Sequence, residues 1–443
     1  MFYKRVAVFM LPLIVQNLIN VGVTAADVIM LGKVGETVLS ASSLAGQLQF
    51  VMTLFFFGIS SGATVLAAQY WGKGDTESIE KVLGMTMFYA VLVAGIFTLV
   101  AETNPVFVMK LFSGETAIIE QGVLYLRIVA ASYIFCAITT IYMNLLRSVE
   151  RVVVASVTYF ISLIVNIILN GILIFGLFGA PKLGIVGAAI ATLIARIVEF
   201  CIAMIYSLKK ELEIHIRRRY LFHHDKVLIK DFLHYAIPVV INELFWGSGT
   251  SIVTAIMGHM GSAVVAANSV AQMVRQLAMV LTYGVSTAAA IMVGKVLGEN
   301  NLRLGKKYGD RFVMLSVLTG LVGTLIIGIA RPICIQFMSL SEQSVDYLSF
   351  MMVALMVYSV IQSVNMTVIV GIFRAGGDTK FGAVIDVFFL YCVSIALGAI
   401  CAFVWKMPVK VVYLVLVSDE FLKIIFVLWR YGKGKWIRNI TRS

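Results

Sequence analysis

PLIVQNLINVGVTAADVIMLGKVG, residues 12–35, returns without a gap as PVVINELFWGSGTSIVTAIMGHMG, residues 238–261. Carried on to 75 and 301, the same superposition brings Gly32 onto Gly258, Gly35 onto Gly261, Ala41 onto Ala267 and Ala45 onto Ala271. It also brings Gly58 onto Gly284 and Gly72 onto Gly298. All six prolines obey it: Pro12 pairs with Pro238 at an offset of 226, and Pro105 with Pro332 and Pro181 with Pro408 at 227. Arg147/Arg374 and Gly171/Gly398 match at 227 as well. A fixed period of this length marks a duplicated architecture. In membrane proteins, internal duplication is characteristic of transporters, with substrate sites expected at the repeat interface.

Composition identifies the solvent. The chain is 60% apolar and 13% charged, with a mean hydropathy of +0.97, far from soluble averages. Twelve stretches are long enough to cross a bilayer at about 1.5 Å per residue, near 7–31, 38–70, 82–102, 121–146, 153–178, 184–208, 232–257, 263–294, 311–330, 346–373, 381–404 and 409–430. The second and eighth have the least distinct ends, because polar residues blur them. Continuous apolar runs, instead of alternation, argue against spanning strands. The expected fold is an all-α polytopic membrane protein: twelve helices in two parallel six-helix repeats around a central cleft. Residues 1–208 form an N-lobe, 209–231 a cytoplasmic linker on anionic headgroups, and 232–443 a C-lobe with a basic tail.

Basic residues orient the chain. One set of helix ends carries 25 Lys and Arg, including the runs Lys209–Lys230, Lys295–Arg311 and Arg430–Arg442; the other carries 6. Both termini are therefore expected in the cytoplasm, in a multi-pass cell-membrane protein. The net charge of +12 is a topology signal, because no soluble stretch is long enough to make a nucleic-acid-binding domain. The first helix reads as a retained span, not a signal peptide. Cys136, Cys201, Cys334, Cys392 and Cys401 lie in or beside apolar spans without ligand spacing, so neither a disulfide framework nor a cysteine metal site is indicated.

Within the chain the repeated positions are Gly, Pro and Ala, which set kinks and close packing, while the charges do not repeat. Asp27 falls on Val253, Glu243 on Asn17 and Asp386 on Tyr159. Function is expected where the copies differ.

The segments at 12–35 and 43–75, LLRSVERVVVAS (145–156) with its counterpart IFRAGGDTKFGA (372–383), and NIILNGILIFG (166–176) resemble the multidrug and toxic compound extrusion (MATE) transporters. These belong to the multidrug/oligosaccharidyl-lipid/polysaccharide exporter superfamily. The resemblance covers essentially the whole chain, and the Gly-Asp-Thr turn at 377–379 is among its more specific parts. It implies a two-lobed exporter that expels organic, often cationic, compounds in exchange for inward Na⁺ or H⁺.

Read from the residues, Gln16, Asn20, Thr24 and Asp27 share one helix face at spacings of 4, 4 and 3, and Ser162, Asn166 and Asn170 share another. A carboxylate inside an apolar span is expensive and points to function. If the stripes meet, one carboxylate and several amide oxygens form a hard-oxygen pocket suited to Na⁺ or to a titrating acid; otherwise Asp27 is a structural hydrogen-bonding group. The resemblance maps the family's first-helix aspartate to Asp27 and its fifth-helix polar positions to Asn166 and Asn170. Many relatives carry an aspartate where Asn170 stands, so this pocket has one charge fewer.

In the second copy Glu243 is the outstanding acid, on a face with Trp246, Thr250 and Thr254. Some family members also place a glutamate on this helix, about one turn away from Glu243. Tyr358, Gln362, Ser363 and Asn365 occupy the tenth span where those relatives often carry a second acid. Glu243 then acts alone, acts with Asp386, or is merely paired with a base such as Arg275. Arg196 and Glu199, and Asp419, Glu420 and Lys423, read as structural charges near helix ends, where snorkelling is cheap.

No phosphate-binding loop supports ATP drive, and no nucleophile–base pair supports an enzyme. No cofactor is expected beyond a possible bound Na⁺ at Asp27, Asn166 and Asn170. The partners are small molecules, Na⁺ or H⁺ and the bilayer, and a monomer is expected. The alternatives are a lipid-linked oligosaccharide flippase, which would want more helices and a cleft with several arginines, and an intramembrane acyltransferase, which would want a His/Asp pair in the bilayer.

Overall fold

A computed structural model describes residues 2–209, 214–222, 225–337 and 341–441, with all side chains in these ranges except those of Asn20, Val21, Thr24, Ala25, Glu36 and Phe337. The described residues are helical, without a strand. The helices are α1 (Phe2–Gly32), α2 (Glu36–Lys73), α3 (Thr76–Thr103), α4 (Pro105–Lys110), α5 (Thr116–Ala130), α6 (Tyr133–Ser148), α7 (Val152–Phe175) and α8 (Ile185–Ser207). Then come α9 (Arg218–Phe222), α10 (Lys226–His259), α11 (Ser262–Gly298), α12 (Leu302–Phe337) and α13 (Glu342–Met366). The last are α14 (Thr379–Phe388), α15 (Ala396–Ala399), α16 (Val409–Leu416) and α17 (Asp419–Gly432). π-helical turns at Thr367–Phe373, Phe389–Ile395 and Ile400–Val404 extend α13 and link α14 to α15 and beyond.

Ten described helices are each long and apolar enough to cross a membrane, and the pair α5/α6, bent by 52°, makes an eleventh. The remaining expected span is α16 with α17, whose sequence carries Asp419, Glu420 and Lys423. The spans with the most blurred ends in the sequence, the second and eighth, form unbroken helices of 38 and 37 residues, α2 and α11. Many of their small and polar residues, among them Ala41, Ser42, Ala45, Ala267, Asn268 and Ala271, are buried against protein instead of marking helix ends, as close helix packing in lipid requires.

The duplication is written in the backbone. Left-handed residues come in equivalent pairs: Gly74 (φ 80°) and Asn300 (60°) at an offset of 226, and Glu150 (64°) and Gly377 (73°) at 227. At the latter pair the N–H of Arg151 returns to the Leu146 carbonyl, and that of Asp378 to Phe373, at 2.9 and 2.8 Å. These are the six-residue closures that end helices in a Schellman motif. The copies diverge at their prolines: Pro105 opens α4, where a missing N–H is harmless, whereas its mate Pro332 lies inside α12.

The chain packs as two compact units. The amino-terminal unit is Val15–Ala67 with Asp75–Ala236, and the carboxy-terminal unit is Met1–Ile14, Ala68–Gly74 and Ile237–Ser443. In the amino-terminal unit α8 lies close on α7, because a Cβ on Gly187 would sit 2.5 Å from the Leu173 carbonyl oxygen. In the carboxy-terminal unit the apolar core is built by α10, α11, α12, α13 and α16, from Ile256 through Ala271, Ile327 and Leu355 to Tyr413.

Candidate functional site

In the amino-terminal unit the two polar stripes meet. Asn170 of α7 donates from Nδ2 to Asp27 Oδ1 of α1 at 2.6 Å and to Asn166 Oδ1, one turn away, at 3.1 Å. Asn166 and Asn170 are buried. With both amide protons of Asn170 committed, its Oδ1 remains a buried acceptor without a partner. A dry polar group in this state is expensive unless a donor or cation satisfies it. Tyr125 of α5, hydrogen-bonded to Thr192, and Arg196 of α8 lie within electrostatic reach of Asp27. Gln16 is buried with an unpartnered Oε1, but eleven residues separate it from Asp27, about 16 Å along the helix. The side chains of Asn20 and Thr24 lie outside those described. Asp27, Asn166 and Asn170 are thus brought together, and Gln16 is not.

The carboxy-terminal unit holds a larger set. Glu243 of α10 is paired with Arg374, at the end of the α13 span, through Nη2 to Oε1 at 2.9 Å. Arg374 is only 5% exposed, so an arginine counted from sequence with the loop charges is a core cation. Arg275, the base expected for Glu243, instead donates to Gln272 at 2.7 Å and to Gln362 at 3.4 Å. Asp386 accepts from Lys423 Nζ at 2.9 Å and from Asn242 Nδ2 at 3.4 Å. Lys423 also meets Glu420 at 2.8 Å and Asp419 at 3.8 Å. Asn365 donates to Glu420 Oε2 at 2.6 Å, and Ser394 lies 3.3 Å from Asp419 Oδ1. Trp246 is 45% exposed on α10.

Asp419, Glu420 and Lys423 are therefore not snorkelling end charges; each is less than 8% exposed. Four carboxylates (Glu243, Asp386, Asp419, Glu420) share two cations (Arg374, Lys423). Asn242 Oδ1 and Asn365 Oδ1 are buried acceptors without a partner among the described residues. The missed signal was the spacing of Asp419, Glu420 and Lys423 at 3 and 4, which aims all three to one side of a helix. Among the described residues no three His, Cys, Asp or Glu side chains are grouped to hold a metal ion. What the geometry offers is a set of buried carboxylate and amide oxygens in each unit.

A duplicated bundle of spanning helices with buried polar sets has the build of a membrane transporter. The MatE family model matches twice, over residues 12–172 and 238–400, each match starting on a repeat-equivalent proline. The chain belongs to the MatE family. It is 25% identical over 447 residues to the probable multidrug resistance protein YoeA of Bacillus subtilis, covering 99% of this chain and 96% of that protein. It is 27% identical over 321 residues to the probable multidrug resistance protein NorM of Rhizobium meliloti, covering 72% and 67%. Among solved structures, a MATE protein in its bent conformation superposes with a TM-score of 0.87 at 17% identity, over 98% of this chain and 96% of that one. A superfamily transporter from Pyrococcus furiosus superposes at 0.84 with 19% identity, over 98% and 96%. These likenesses show a common fold.

Proposed function

We propose that the chain exports organic, often cationic, compounds in exchange for inward Na⁺ or H⁺ by alternating access, with Asp27 as a coupling carboxylate. The observation that carries this reading is the 2.6 Å contact between Asn170 and Asp27, which leaves the Asn170 carbonyl oxygen buried and unpartnered beside a carboxylate. Such a set gains when a proton or Na⁺ arrives and loses when it leaves, which is the requirement for an exchanger. The names of the relatives, multidrug resistance proteins, support the substrate class. The basic-residue asymmetry supports a placement with both termini and residues 209–231 in the cytoplasm. The test is efflux of a fluorescent organic cation from proteoliposomes under separate Na⁺ and pH gradients. One of the two gradients accelerates efflux in the native protein, and Asp27→Asn, nearly isosteric, abolishes that acceleration. Undiminished gradient-driven efflux by a well-folded Asp27→Asn protein would reject Asp27 as the coupling group.

A further inference from the structure

The two segments that follow the sixth span of each copy are equivalent straps. In the amino-terminal unit, residues 214–222 fold back on α3. Glu80 accepts from the His215 backbone N–H at 3.0 Å and pairs with Arg217, and Gly84 leaves no room for a Cβ against the Tyr220 carbonyl. In the carboxy-terminal unit, the chain after α17 folds back on α12, the equivalent helix, within one turn of the same place. Trp436 is fully buried, stacked on Tyr431 at 5.3 Å, and its ring would meet a Cβ on Gly309 at 2.7 Å. Tyr431 donates to Asp310 of α12 at 2.7 Å.

The second strap reaches further. Gln69, in the last turns of α2 and fully buried, donates from Nε2 to the carbonyls of Ala375 at 2.7 Å and Arg438 at 3.1 Å. Its Oε1 accepts from the Ile440 N–H at 2.7 Å. Asn439 donates to the Gly298 carbonyl at 3.3 Å. The tail thus holds both helices of a crossing between α2 and α11. That crossing is reciprocal: a Cβ on Gly72 would collide with the Lys295 carbonyl, and one on Gly298 with the Gln69 carbonyl. Gly72 and Gly298 are repeat mates, as are Gln69 and Lys295, each at an offset of 226. The contact is therefore self-complementary in the way a two-fold axis demands. Ala68 packs on Gly294, and the Lys295 ammonium lies 6.0 Å from the Trp71 ring at the same crossing; the tail's hydrogen bonds to Gln69 and Gly298 add a fastening from outside the two helices.

We propose that residues 434–441 are a latch that holds the end of α2 to α11, and that this crossing opens only after the latch has come off Gln69. The proposal rests on the reading that the chain changes conformation during export, but its test does not depend on export. Hydrogen exchange of the purified full-length protein is followed in segments 66–74 and 294–300, with α7 as an internal reference. Gln69→Glu keeps the side-chain shape and turns a donor facing two carbonyl oxygens into an acceptor. It should speed exchange in both segments about tenfold and leave α7 unchanged. Removal of residues 434–443 should do the same; should that protein not fold, the Gln69→Glu result decides. Unchanged exchange in Gln69→Glu would overturn the latch, even with normal efflux. Faster exchange in a protein that exports nothing would uphold the latch and reject the exporter reading.

Discussion

At the scale of single residues, the side chains that mattered most were those whose partner could not be read from spacing. Glu243 stands out as an intramembrane acid, but its partner Arg374 lies 131 residues away and reads in sequence as one of the loop cations. Their repeat mates are Asn17 and Arg147, so the second copy carries a carboxylate where the first has a neutral amide. A half-satisfied buried pair is worse than none: removing one partner costs about 3–5 kcal/mol. Glu243→Gln and Arg374→Gln should each lower the melting temperature of the purified protein, and the double substitution should be less destabilised than the sum of the two. Additive losses would show that the 2.9 Å contact contributes no coupling. The pairing also bears on substrate choice. If Glu243 receives organic cations, Arg374 must yield to them, and Arg374→Gln should tighten binding of a cationic compound while leaving a neutral analogue of similar size unchanged.

At the scale of elements, small residues decide how closely the helices approach. At Gly187 α8 lies backbone to backbone on α7, where no flexible side chain can give way. Gly187→Ala should destabilise the protein by about 1–3 kcal/mol, as overpacking does. Gly95→Ala in α3, with nothing within 4 Å of its added methyl, should be neutral in the same melts; equal losses at both sites would contradict the packing argument. Much at this scale was legible in the sequence. The paired prolines and glycines exposed the duplication, and continuous apolar runs located the helices. The spacing placed each polar stripe on one helix face but left open whether they meet; they touch at Asp27 and Asn170. The bend between α5 and α6 and the π-helical turn after Phe388 were not legible, because neither has a proline or glycine at the break, and the lone Gly371 in the turn after Met366 does not by itself mark one. The α17 cluster was misjudged because a charge near a helix end looks cheap until the neighbouring helices that bury it are known.

At the scale of the whole molecule, the chain joins two copies that share a backbone plan and differ in polar chemistry. The amino-terminal unit sets Asp27 against Asn170 and pairs its other buried carboxylates, Glu80 and Glu199, with Arg217 and Arg196; the carboxy-terminal unit sets four carboxylates against Arg374 and Lys423. The orientation we propose rests on the excess of basic residues at one set of helix ends, which holds without the buried Arg374. A cysteine at the exposed Arg218, in a background without the native cysteines, should react with an impermeant maleimide only after the cell membrane is permeabilised. Labelling of intact cells would reverse the orientation. The central claim is that movement of an organic compound and movement of a cation are one event, and linkage makes such coupling reciprocal. The most direct measurement therefore starts from no ion gradient at all. An outward gradient of a permeant-silent organic cation is imposed on proteoliposomes, and trapped Na⁺- and pH-sensitive dyes report the lumen. The account predicts that one of the two ions moves against the substrate's direction, at a rate that scales with substrate flux and vanishes in Asp27→Asn. Substrate flux with neither ion moving would contradict it.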